Sequence, residues 1–497
     1  MTASQTAFYI DGTWSSPLSS ATIDVISPVT EQAIATIPEG GTADIDRAVA
    51  AAHKAFDHGP WPRMSHRERA AILLRVADEL DKRTPEMAEI MVAEMGSPIS
   101  QALYGQVPFT AELLRYYAEN VNGYDWEVRR PTYNAGNDGF DVMVQLAPYG
   151  VVGAIPPWNG PQICAMMKVA PALLTGCTMV LKPAPEASLN FVGFAEAFAA
   201  AGVPDGVLNI VTGDVAASKH LVAHPDVDKV AFTGSVEVGR QIGEVCGRLL
   251  RPVTLELGGK SAAIIRDDAD LDDAIQRLLG QMFFVSGQAC NAPSRILASP
   301  QRYEEVVEAF VEAIRALPLG MPEDPATAVG PMTTRAQRER ILRYVQIGKD
   351  EGAKVALGGG TPEGDGFGRG WWVDKTVFRD VDNSMRIAQE EIFGPVVSIL
   401  KYQNDDDALR IANDSPLGLA GSVWTADIEK GYAMAGALRS GALGVNNHGL
   451  DPATPLAGRK NSGLGVERGL EAVHDYVTPR AILVPTGAKG LSAPFII

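Results

Sequence analysis

The chain has 497 residues, which is enough for about three domains and a large buried core. Hydrophobic residues make up 46% of it and charged residues 21%, a composition typical of a folded globular protein. The 60 acidic side chains outnumber the 43 basic ones and give a formal net charge of −17 at pH 7, the wrong sign for binding phosphate backbones or anionic lipid. We therefore expect neither nucleic acid nor a membrane as a partner.

Cysteine usage and the N-terminal residues bear on the compartment. The four cysteines are too sparse for a disulfide framework and lack the paired spacing of a zinc site. Residues 1–46 contain no Lys or Arg, so neither a secretory signal nor a transit peptide is predicted. The longest apolar stretch, Val169 to Leu181, is interrupted by Pro171 and Gly176 and is too short to span a bilayer. We predict a cytoplasmic protein.

The first elements predicted along the chain are helical. The apolar spacing between Asp44 and the mid-90s has a helical period, and Ser65 with Glu68 forms a capping box ahead of one run.

From Val151 the pattern changes to short apolar strands that alternate with amphipathic helices, which predicts βαβ units on a parallel sheet. The predicted strands are Val151 to Ile155, Met179 to Lys182, Leu208 to Thr212 and Lys229 to Thr233. The predicted helices are Gln162 to Leu174, Ser188 to Ala201 and Ala216 to His224, followed in a second α/β stretch from Gly259 by Leu271 to Phe284 and Tyr303 to Leu317.

A polar, alternating segment from Val128 to Leu146 reads as a projecting β-hairpin, with the strand-like Arg480 to Pro485 as its natural partner. Because isolated hairpins are marginally stable in water, we expect a neighbouring subunit to stabilise it.

Two glycine-rich segments are weak candidates for phosphate binding. Gly463, Gly465 and Gly469 miss the dinucleotide fingerprint by one residue, and residues 358–370 lack a strong preceding strand. Both are interpreted as loops.

Two further patterns have simple structural interpretations. His220 and His224 are four residues apart, but Leu221 stands where a zinc protease needs its Glu, and no third ligand is evident. They are interpreted as surface or satisfied helix histidines, and no metal site is predicted. The acidic run Asp267 to Asp273 is interpreted as a solvated helix start.

A stronger set of motifs points to covalent chemistry. The turn Phe232 to Ser235 joins a predicted strand to a helix and offers main-chain amides to an anion. Glu256 lies in an apolar strand that ends in two glycines, surroundings that suit a general base, although an acid paired with a lysine stays open as the alternative. Cys290 follows a small flexible turn, where a lone cysteine is more often buried filler.

Two more segments complete the set. Asn159 follows a hydrophobic strand and supplies an amide donor for an oxyanion, and Lys182 closes another strand at its carboxyl end, where open α/β sheets bind ligands. A thiol, an acid, an amide and a phosphate-binding turn together favour acyl chemistry through a thioester.

In chain order, these and later motifs resemble the signature set of the NAD(P)-dependent aldehyde dehydrogenase superfamily over nearly the whole chain. The motifs are Pro157-Trp158-Asn159, Lys182-Pro183-Ala184, Phe232 to Ser235, Glu256 to Lys260, Gly287 to Cys290, Glu390 to Pro395 and Asn413 to Trp424. The resemblance implies an α/β fold with a Rossmann-type cofactor domain, an α/β catalytic domain and a β-hairpin oligomerisation arm. The implied ranges are 1–127 and 147–258 with 461–477 for the cofactor domain, 259–460 for the catalytic domain, and 128–146 with 478–497 for the arm.

The resemblance also implies roles for individual residues. Cys290 would be the nucleophile, Glu256 the general base, and Asn159 with the Cys290 main-chain amide the oxyanion hole. The implied cofactor-binding residues are Ile155, Trp158, Lys182, Gly213, Gly234, Ser235, Leu257, Glu391 and Phe393. The implied reaction is oxidation of an aldehyde to the acid, in a homodimer or homotetramer. Alternatives are a coenzyme A-acylating or reductive relative, disfavoured by Glu256, and a non-catalytic scaffold protein.

Departures from the family pattern bear on specificity. Pro185 stands where NAD-preferring members often carry a Glu, and Glu186 comes one residue late, so NAD is favoured while NADP stays open. Val285 replaces a common Asn, and Ala457 replaces a common Gly.

The substrate channel is predicted to be wide and apolar, for a medium or bulky hydrophobic aldehyde. Its implied residues are Gly160, Met167, Ala289, Asn291, Leu450 and Leu456. No Lys or Arg is predicted there to hold a substrate carboxylate.

Overall fold

The computed structural model describes residues 6–449 and 451–488, with helices on both faces of two large sheets. Its α-helices are α1 (Thr42–His58), α2 (His66–Met95), α3 (Ile99–Gln101), α4 (Val107–Glu119), α5 (Pro161–Thr175), α6 (Asn190–Ala200), α7 (Val215–Ala223), α8 (Val236–Arg248), α9 (Leu271–Met282), α10 (Tyr303–Ala316), α11 (Arg335–Asp350), α12 (Arg386–Gln389), α13 (Asp405–Asn413) and α14 (Ile428–Ala437). Its strands are β1 (Phe8–Ile10), β2 (Thr13–Ser15), β3 (Thr22–Ile26), β4 (Ala33–Pro38), β5 (Glu127–Pro131), β6 (Phe140–Pro148), β7 (Val151–Ile155), β8 (Thr178–Leu181), β9 (Leu208–Ile210), β10 (Lys229–Thr233), β11 (Val253–Glu256), β12 (Ala262–Ile265), β13 (Arg295–Ala298), β14 (Lys354–Leu357), β15 (Thr376–Arg379), β16 (Val396–Lys401), β17 (Leu417–Gly418), β18 (Ala420–Trp424), β19 (Ala442–Val445), β20 (Arg459–Lys460), β21 (Gly463–Leu464) and β22 (Val477–Pro485).

The first large sheet has the order β2-β1-β9-β8-β7-β10-β11-β21, and its strands from β9 to β11 are parallel. The chain builds outward from β7 in one direction through β8 and β9, and in the other through β10 and β11. The strand order therefore reverses between β7 and β10, which is where open α/β sheets form a ligand crevice at their carboxyl ends.

The second large sheet has the order β14-β15-β16-β13-β12-β18-β19 and is parallel except for β14. It is joined to the first sheet by the short connection between β11 and β12, residues 257–261. Strand β11 of the first sheet is therefore connected directly to β12 of the second, which places the carboxyl end of β11 at the junction of the two sheets.

Most predicted elements are present. The strands Val151–Ile155 and Lys229–Thr233 match the predicted bounds, because each is a fully buried apolar run. Helix α2 begins with the predicted capping box, in which the Ser65 hydroxyl accepts from the Glu68 amide and the Glu68 carboxylate accepts from the Ser65 amide. The helical region from Asp44 to the mid-90s is two helices, α1 and α2, separated at residues 59–65.

The predicted hairpin is also present. Strands β5 and β6 pair antiparallel, and β22 pairs with β6 along its whole length from Val477 opposite Pro148 to Pro485 opposite Phe140. The partner strand predicted from the sequence, Arg480 to Pro485, is confirmed. Residues 489–497 of the predicted arm lie outside the described residues.

One loop assignment was wrong in part. Gly463 and Leu464 form a short strand that pairs antiparallel with Leu255 and Glu256 at the edge of the first sheet. A two-residue strand is too short to produce a periodic pattern. Residues 358–370 contain no helix or strand, as predicted, although the expectation that no strand precedes them was wrong, since β14 ends at Leu357. The acidic run is a helix start, as predicted, with Asp270 capping α9 by accepting from the Asp273 amide. In the described part of the chain, no helix combines the length and apolar character needed to cross a membrane.

Candidate active site

The loop before Cys290 adopts an unusual backbone conformation. Val285, Ser286 and Gly287 all have positive φ angles, of 49°, 57° and 79°. A β-branched residue such as Val285 is rarely found there, so the surrounding structure must hold the loop. The Val285 amide donates to the Gln101 side chain at 2.8 Å, and the Ser286 hydroxyl accepts from the Gly330 amide at 2.8 Å. The loop is thus fixed from outside its own segment.

Two glycines allow the main chain to pack closely around the thiol. A Cβ atom at Gly259 would lie 2.1 Å from the carbonyl oxygen of Cys290, and one at Gly287 would lie 2.5 Å from Gly394. Any side chain at either position would displace the backbone. The Gly-Gly motif is therefore explained by close packing against Cys290, and the glycine of the Gly-Gln motif by close packing against Gly394.

Glu256 ends β11 and is buried. Burial raises the pKa of its carboxyl well above the usual value, and the nearby Glu467 carboxylate raises it further. Its Oε1 has no hydrogen-bond partner, and among the described residues no lysine lies within ion-pair distance of it. Glu256 is therefore not paired with a lysine, which was the alternative left open from the sequence. The neighbouring Lys168 pairs with Glu467 instead.

Cys290 is half-buried, and it differs in this from the other three cysteines, which are buried. Burial raises the pKa of its thiol well above the usual value, and the Glu256 carboxylate raises it further. The Asn159 side-chain amide donates to the Gln288 carbonyl oxygen at 2.8 Å, so it lies beside the loop that carries the thiol. Thiol, acid and amide, predicted from three separate motifs, are brought together.

A cavity of about 270 Å³ lies on one side of Cys290. Six of the nine predicted cofactor residues line it: Trp158, Gly234, Ser235, Leu257, Glu391 and Phe393. Ser235 caps the N-terminus of α8 by accepting from the Val238 amide. The N-terminus of α8 is the positive end of the helix dipole and presents main-chain amides, and both features favour binding of a pyrophosphate there.

The other three predicted cofactor residues do not line this cavity. Ile155, Lys182 and Gly213 instead follow one another along the carboxyl edge of the same sheet, at or just beyond the ends of β7, β8 and β9. Burial lowers the pKa of Lys182 to about 8, and the carboxylates of Glu186 and Asp214 oppose that shift. An extended ligand could therefore run from the cavity along this edge.

Contacts from the second sheet's loops shape the far wall of the cavity. Glu391 accepts from the Gly259 amide at 3.0 Å, and the Phe393 ring meets the Trp158 ring edge-on at 5.5 Å. Gln337 and Arg340 also line it and donate to main-chain carbonyls of residues 391–393. Neither was predicted, because the polar face of α11 carries no motif that distinguishes it from an ordinary solvated helix.

A second cavity, of about 220 Å³, also borders Cys290. Gly160, Met167, Ala289, Asn291 and Leu456 line it as predicted, and Leu450 lies outside the described residues. Sequence reasoning missed further lining residues: Gly105, Phe109, Ile163, Cys164, Gln281, Phe284 and Arg468. Asn159, Cys164 and Cys290 line both cavities, so the two meet at the thiol.

The prediction that no lysine or arginine of the channel would hold a substrate carboxylate did not consider Arg468. Arg468 lines the second cavity, although the rest of its wall is mostly apolar. It lies close after the Gly463–Leu464 strand, and the sequence there resembles an ordinary loop.

The histidine pair has a third neighbour that was not foreseen. Asp46 lies 2.5 Å from Nε2 of His220 and 3.3 Å from Nε2 of His224. However, Nδ1 of His224 accepts from the Asp226 amide, so the ring proton of the neutral imidazole lies on Nε2 and is donated to Asp46. This hydrogen bonding favours the interpretation as satisfied histidines over a metal ligand.

A doubly wound sheet whose crevice leads to a cavity bordered by a thiol and an amide, with a buried acid nearby, is the arrangement expected of a dinucleotide-dependent oxidoreductase. The chain matches the model of the Aldehyde dehydrogenase family over residues 14–482, and it belongs to that family. The predicted family, fold class and enzyme class are thus confirmed.

Individual relatives match over nearly their whole length. The chain is 44% identical to a geranial dehydrogenase of Castellaniella defragrans over 476 residues, covering 96% of this chain and 98% of that protein. An aldehyde dehydrogenase of Mycobacterium tuberculosis solved in complex with NAD+ superposes with a TM-score of 0.94 at 42% identity, covering 99% and 100% of the two chains. A mutant aldehyde dehydrogenase C of Pseudomonas syringae, complexed with NAD+ and octanal, gives 0.91 at 36% identity, with 97% of each chain covered.

Proposed function

We propose that this protein oxidises a medium or bulky hydrophobic aldehyde to the carboxylic acid, with NAD as cofactor and Cys290 as nucleophile. The observation that carries the proposal is that the two cavities meet at Cys290, so an aldehyde on one side and a cofactor on the other would approach the same sulfur. Solved neighbours complexed with NAD+ support the choice of cofactor.

Acylation uses the thiol and the amide. The Cys290 thiolate attacks the carbonyl carbon and forms a C–S bond, and the carbonyl oxygen becomes an oxyanion held by the Asn159 amide and the Cys290 main-chain N–H. The residues that line the first cavity would hold NAD, which when bound would supply the two-electron acceptor for the hydride that the carbon loses as its oxyanion re-forms the carbonyl. A thioester on Cys290 results.

Deacylation uses Glu256. Its carboxylate takes a proton from a water molecule, whose oxygen attacks the thioester carbon, and the C–S bond breaks to release the acid and the thiolate. The raised pKa of Glu256 suits a base that must accept a proton near neutral pH. The presence of this acid supports hydrolysis over transfer of the acyl group to coenzyme A.

The substrate class follows from the wall of the second cavity. Phe109, Phe284, Met167 and Leu456 offer apolar contacts, and Gly105 and Gly160 leave room between them. Relatives named for geranial and solved with octanal support a hydrophobic substrate. A panel of aldehydes ranked by kcat/KM tests this, and best activity on succinic semialdehyde would contradict it.

Active-site variants test the covalent mechanism. Cys290→Ala should abolish NADH formation, whereas Glu256→Gln should release one equivalent of NADH per subunit and then stall. Cys246→Ala and Glu244→Gln, away from both cavities, are the matched controls and should turn over normally. Full steady-state turnover by Cys290→Ala would end the proposal, and faster turnover on adding coenzyme A would favour an acyl-transferring enzyme.

We also propose a homodimer or homotetramer, a cytoplasmic location and the three domain ranges predicted from the sequence. The oligomer is supported by the exposed outer strand β5 of the three-stranded arm, whose free edge is available to a second copy. Free cysteines throughout support a reducing compartment. Light scattering of the protein in solution, compared with a variant lacking residues 132–139 at the hairpin tip, tests the assembly.

A further inference from the structure

Arg468 is a buried cation in the wall of the substrate cavity. Its side chain is only 4% exposed, and it is the one charged residue among the described residues that line this cavity. Two main-chain hydrogen bonds between Leu456 and Glu467 fix the backbone immediately before it. Its own φ angle is +59°, a conformation that an arginine adopts only when the surroundings impose it.

Among the described residues, the Arg468 guanidinium has no ion-pair partner. Its Nε is buried without a hydrogen-bond partner, and within residues 6–449 and 451–488 no carboxylate forms an ion pair with it. The adjacent Glu467 is directed to Lys168, which also donates to Thr233 at 2.6 Å. Since an unpaired buried charge is costly, a cation kept here in a strained backbone calls for a function.

The groups that face this cation are the ones whose charged forms the reaction needs. Glu256 and Cys290 are its foremost electrostatic neighbours, followed by Glu467 and Cys164. Burial raises the pKa of both groups most; beyond it, Glu256, Cys164 and Glu391 raise the pKa of Cys290 while Arg468 lowers it, and Glu467 and Glu391 raise the pKa of Glu256 while Lys168 and Arg468 lower it. Of the cations in this set, Lys168 is already paired, so Arg468 is the one left to offset the acids around the thiol.

We propose that Arg468 is a positioning residue whose guanidinium, in the wall of the cavity that Cys290 also lines, stabilises the Cys290 thiolate and the nearby Glu256 carboxylate. This inference rests on the proposed function, since it assumes that both groups act in ionised form. Burial disfavours the ionised form of each group, as the raised pKa values of Cys290 and Glu256 reflect, and the positive charge of Arg468 acts against that effect on both.

The direct test is the pH dependence of Cys290 alkylation by iodoacetamide, followed by mass spectrometry of the Cys290 peptide in the full-length protein. This readout does not depend on turnover, so it separates failure of this inference from failure of the proposed function. In Arg468→Met, which keeps the volume and removes the charge, the apparent pKa of the thiol should rise by about one unit, making alkylation about tenfold slower at neutral pH. Arg468→Lys should restore most of the rate.

Controls separate an electrostatic role from the two alternatives. Arg248→Met, which removes a surface arginine of α8, should leave the alkylation profile unchanged. An unchanged pH profile of Cys290 alkylation in Arg468→Met would overturn the inference. If, in addition, KM rose only for aldehydes that carry a carboxylate, the role of Arg468 would be substrate binding. Equal slowing in Arg468→Met and Arg468→Lys, together with a lowered unfolding temperature in both, would also overturn it and indicate a structural role.

Discussion

The side-chain amide of Asn159 donates a 2.8 Å hydrogen bond to the carbonyl oxygen of Gln288, two residues before the nucleophile. The Gln288 side chain is itself held, donating to the Val285 carbonyl at 2.9 Å and accepting from the Thr333 amide at 3.1 Å. The Asn159 amide is thus held against the loop that carries Cys290, and Asn159 lines both cavities. The hydrogen bond orients the amide before any substrate arrives.

Asn159→Ala should therefore lower kcat/KM by about 10²–10³, because it removes a preorganised oxyanion donor. Steady-state kinetics on a good aldehyde substrate measures the loss. Asn413→Ala, which alters an amide remote from both cavities, is the matched control. A loss of less than threefold in Asn159→Ala would contradict the assigned role.

Gly160→Phe should narrow the substrate channel. A Cβ atom at Gly160 would lie 3.7 Å from Sγ of Cys164, an ordinary contact, so a larger side chain is accommodated at its base and extends into the cavity. We expect kcat/KM for a branched ten-carbon aldehyde to fall about tenfold or more relative to propanal, because the ring occupies the volume the chain needs. Gly247→Phe on the outer face of α8 should leave that ratio unchanged, and an unchanged ratio in Gly160→Phe would contradict the channel assignment.

Glu186→Gln should improve the use of NADP. The Glu186 carboxylate lies near enough to Lys182 to oppose the fall in its pKa, so it would repel a 2′-phosphate at the same place. The ratio of kcat/KM for NADP to that for NAD should rise by about tenfold, or ~1.4 kcal/mol. Glu196→Gln, on the exposed face of α6, is the control. An unchanged NADP-to-NAD ratio of kcat/KM in Glu186→Gln would show that the adenosine ribose does not bind beside Glu186.

Glu94 should make the free energy of unfolding depend on pH. Burial raises the pKa of this carboxyl to about 8, although it accepts hydrogen bonds from the amides of Leu189 and Asn190. The folded protein therefore holds a proton that the unfolded chain has released, so stability falls as pH rises from about 5 to 8, by at most about 1.4 kcal/mol per pH unit.

Glu94→Gln should remove this slope. The urea concentration at the unfolding midpoint, measured from pH 5 to 8, should change less with pH in Glu94→Gln than in the wild type. Glu89→Gln, at an exposed position on the same helix, should keep the wild-type slope. Parallel dependences for the wild type and Glu94→Gln would refute the assignment.

The sequence predicted those parts of the fold and site whose residue types are compatible with few conformations or environments. Strands β7 and β10 are buried on both faces, so they read as unbroken apolar runs with sharp ends. The residues of the site come from motifs in which glycines adjoin the reactive group, and the close approach of Gly259 to Cys290 explains why those glycines are there.

Other features depend on distant contacts that no local pattern records. The left-handed backbone at Val285 is imposed by Gln101, whose side chain accepts from its amide. Arg340 faces the cofactor cavity from a helix whose polar pattern looks solvated, and Arg468 is buried although its neighbours in the sequence resemble a surface loop. In each case the environment of the residue is set by chain segments far away in sequence.

The pairing of β21 with β11 also bears on how the enzyme is made. Gly463 lies opposite Glu256, and Arg468 follows a few residues later, so the surroundings of Glu256 are completed by the final part of the chain. Domains fold as units in the order of their synthesis, and Cys290 and Asn159 are both made well before this segment. A nascent or truncated chain that ends before residue 463 consequently has the thiol without the completed wall around the acid, and biosynthesis delivers a working catalyst only at its last stage.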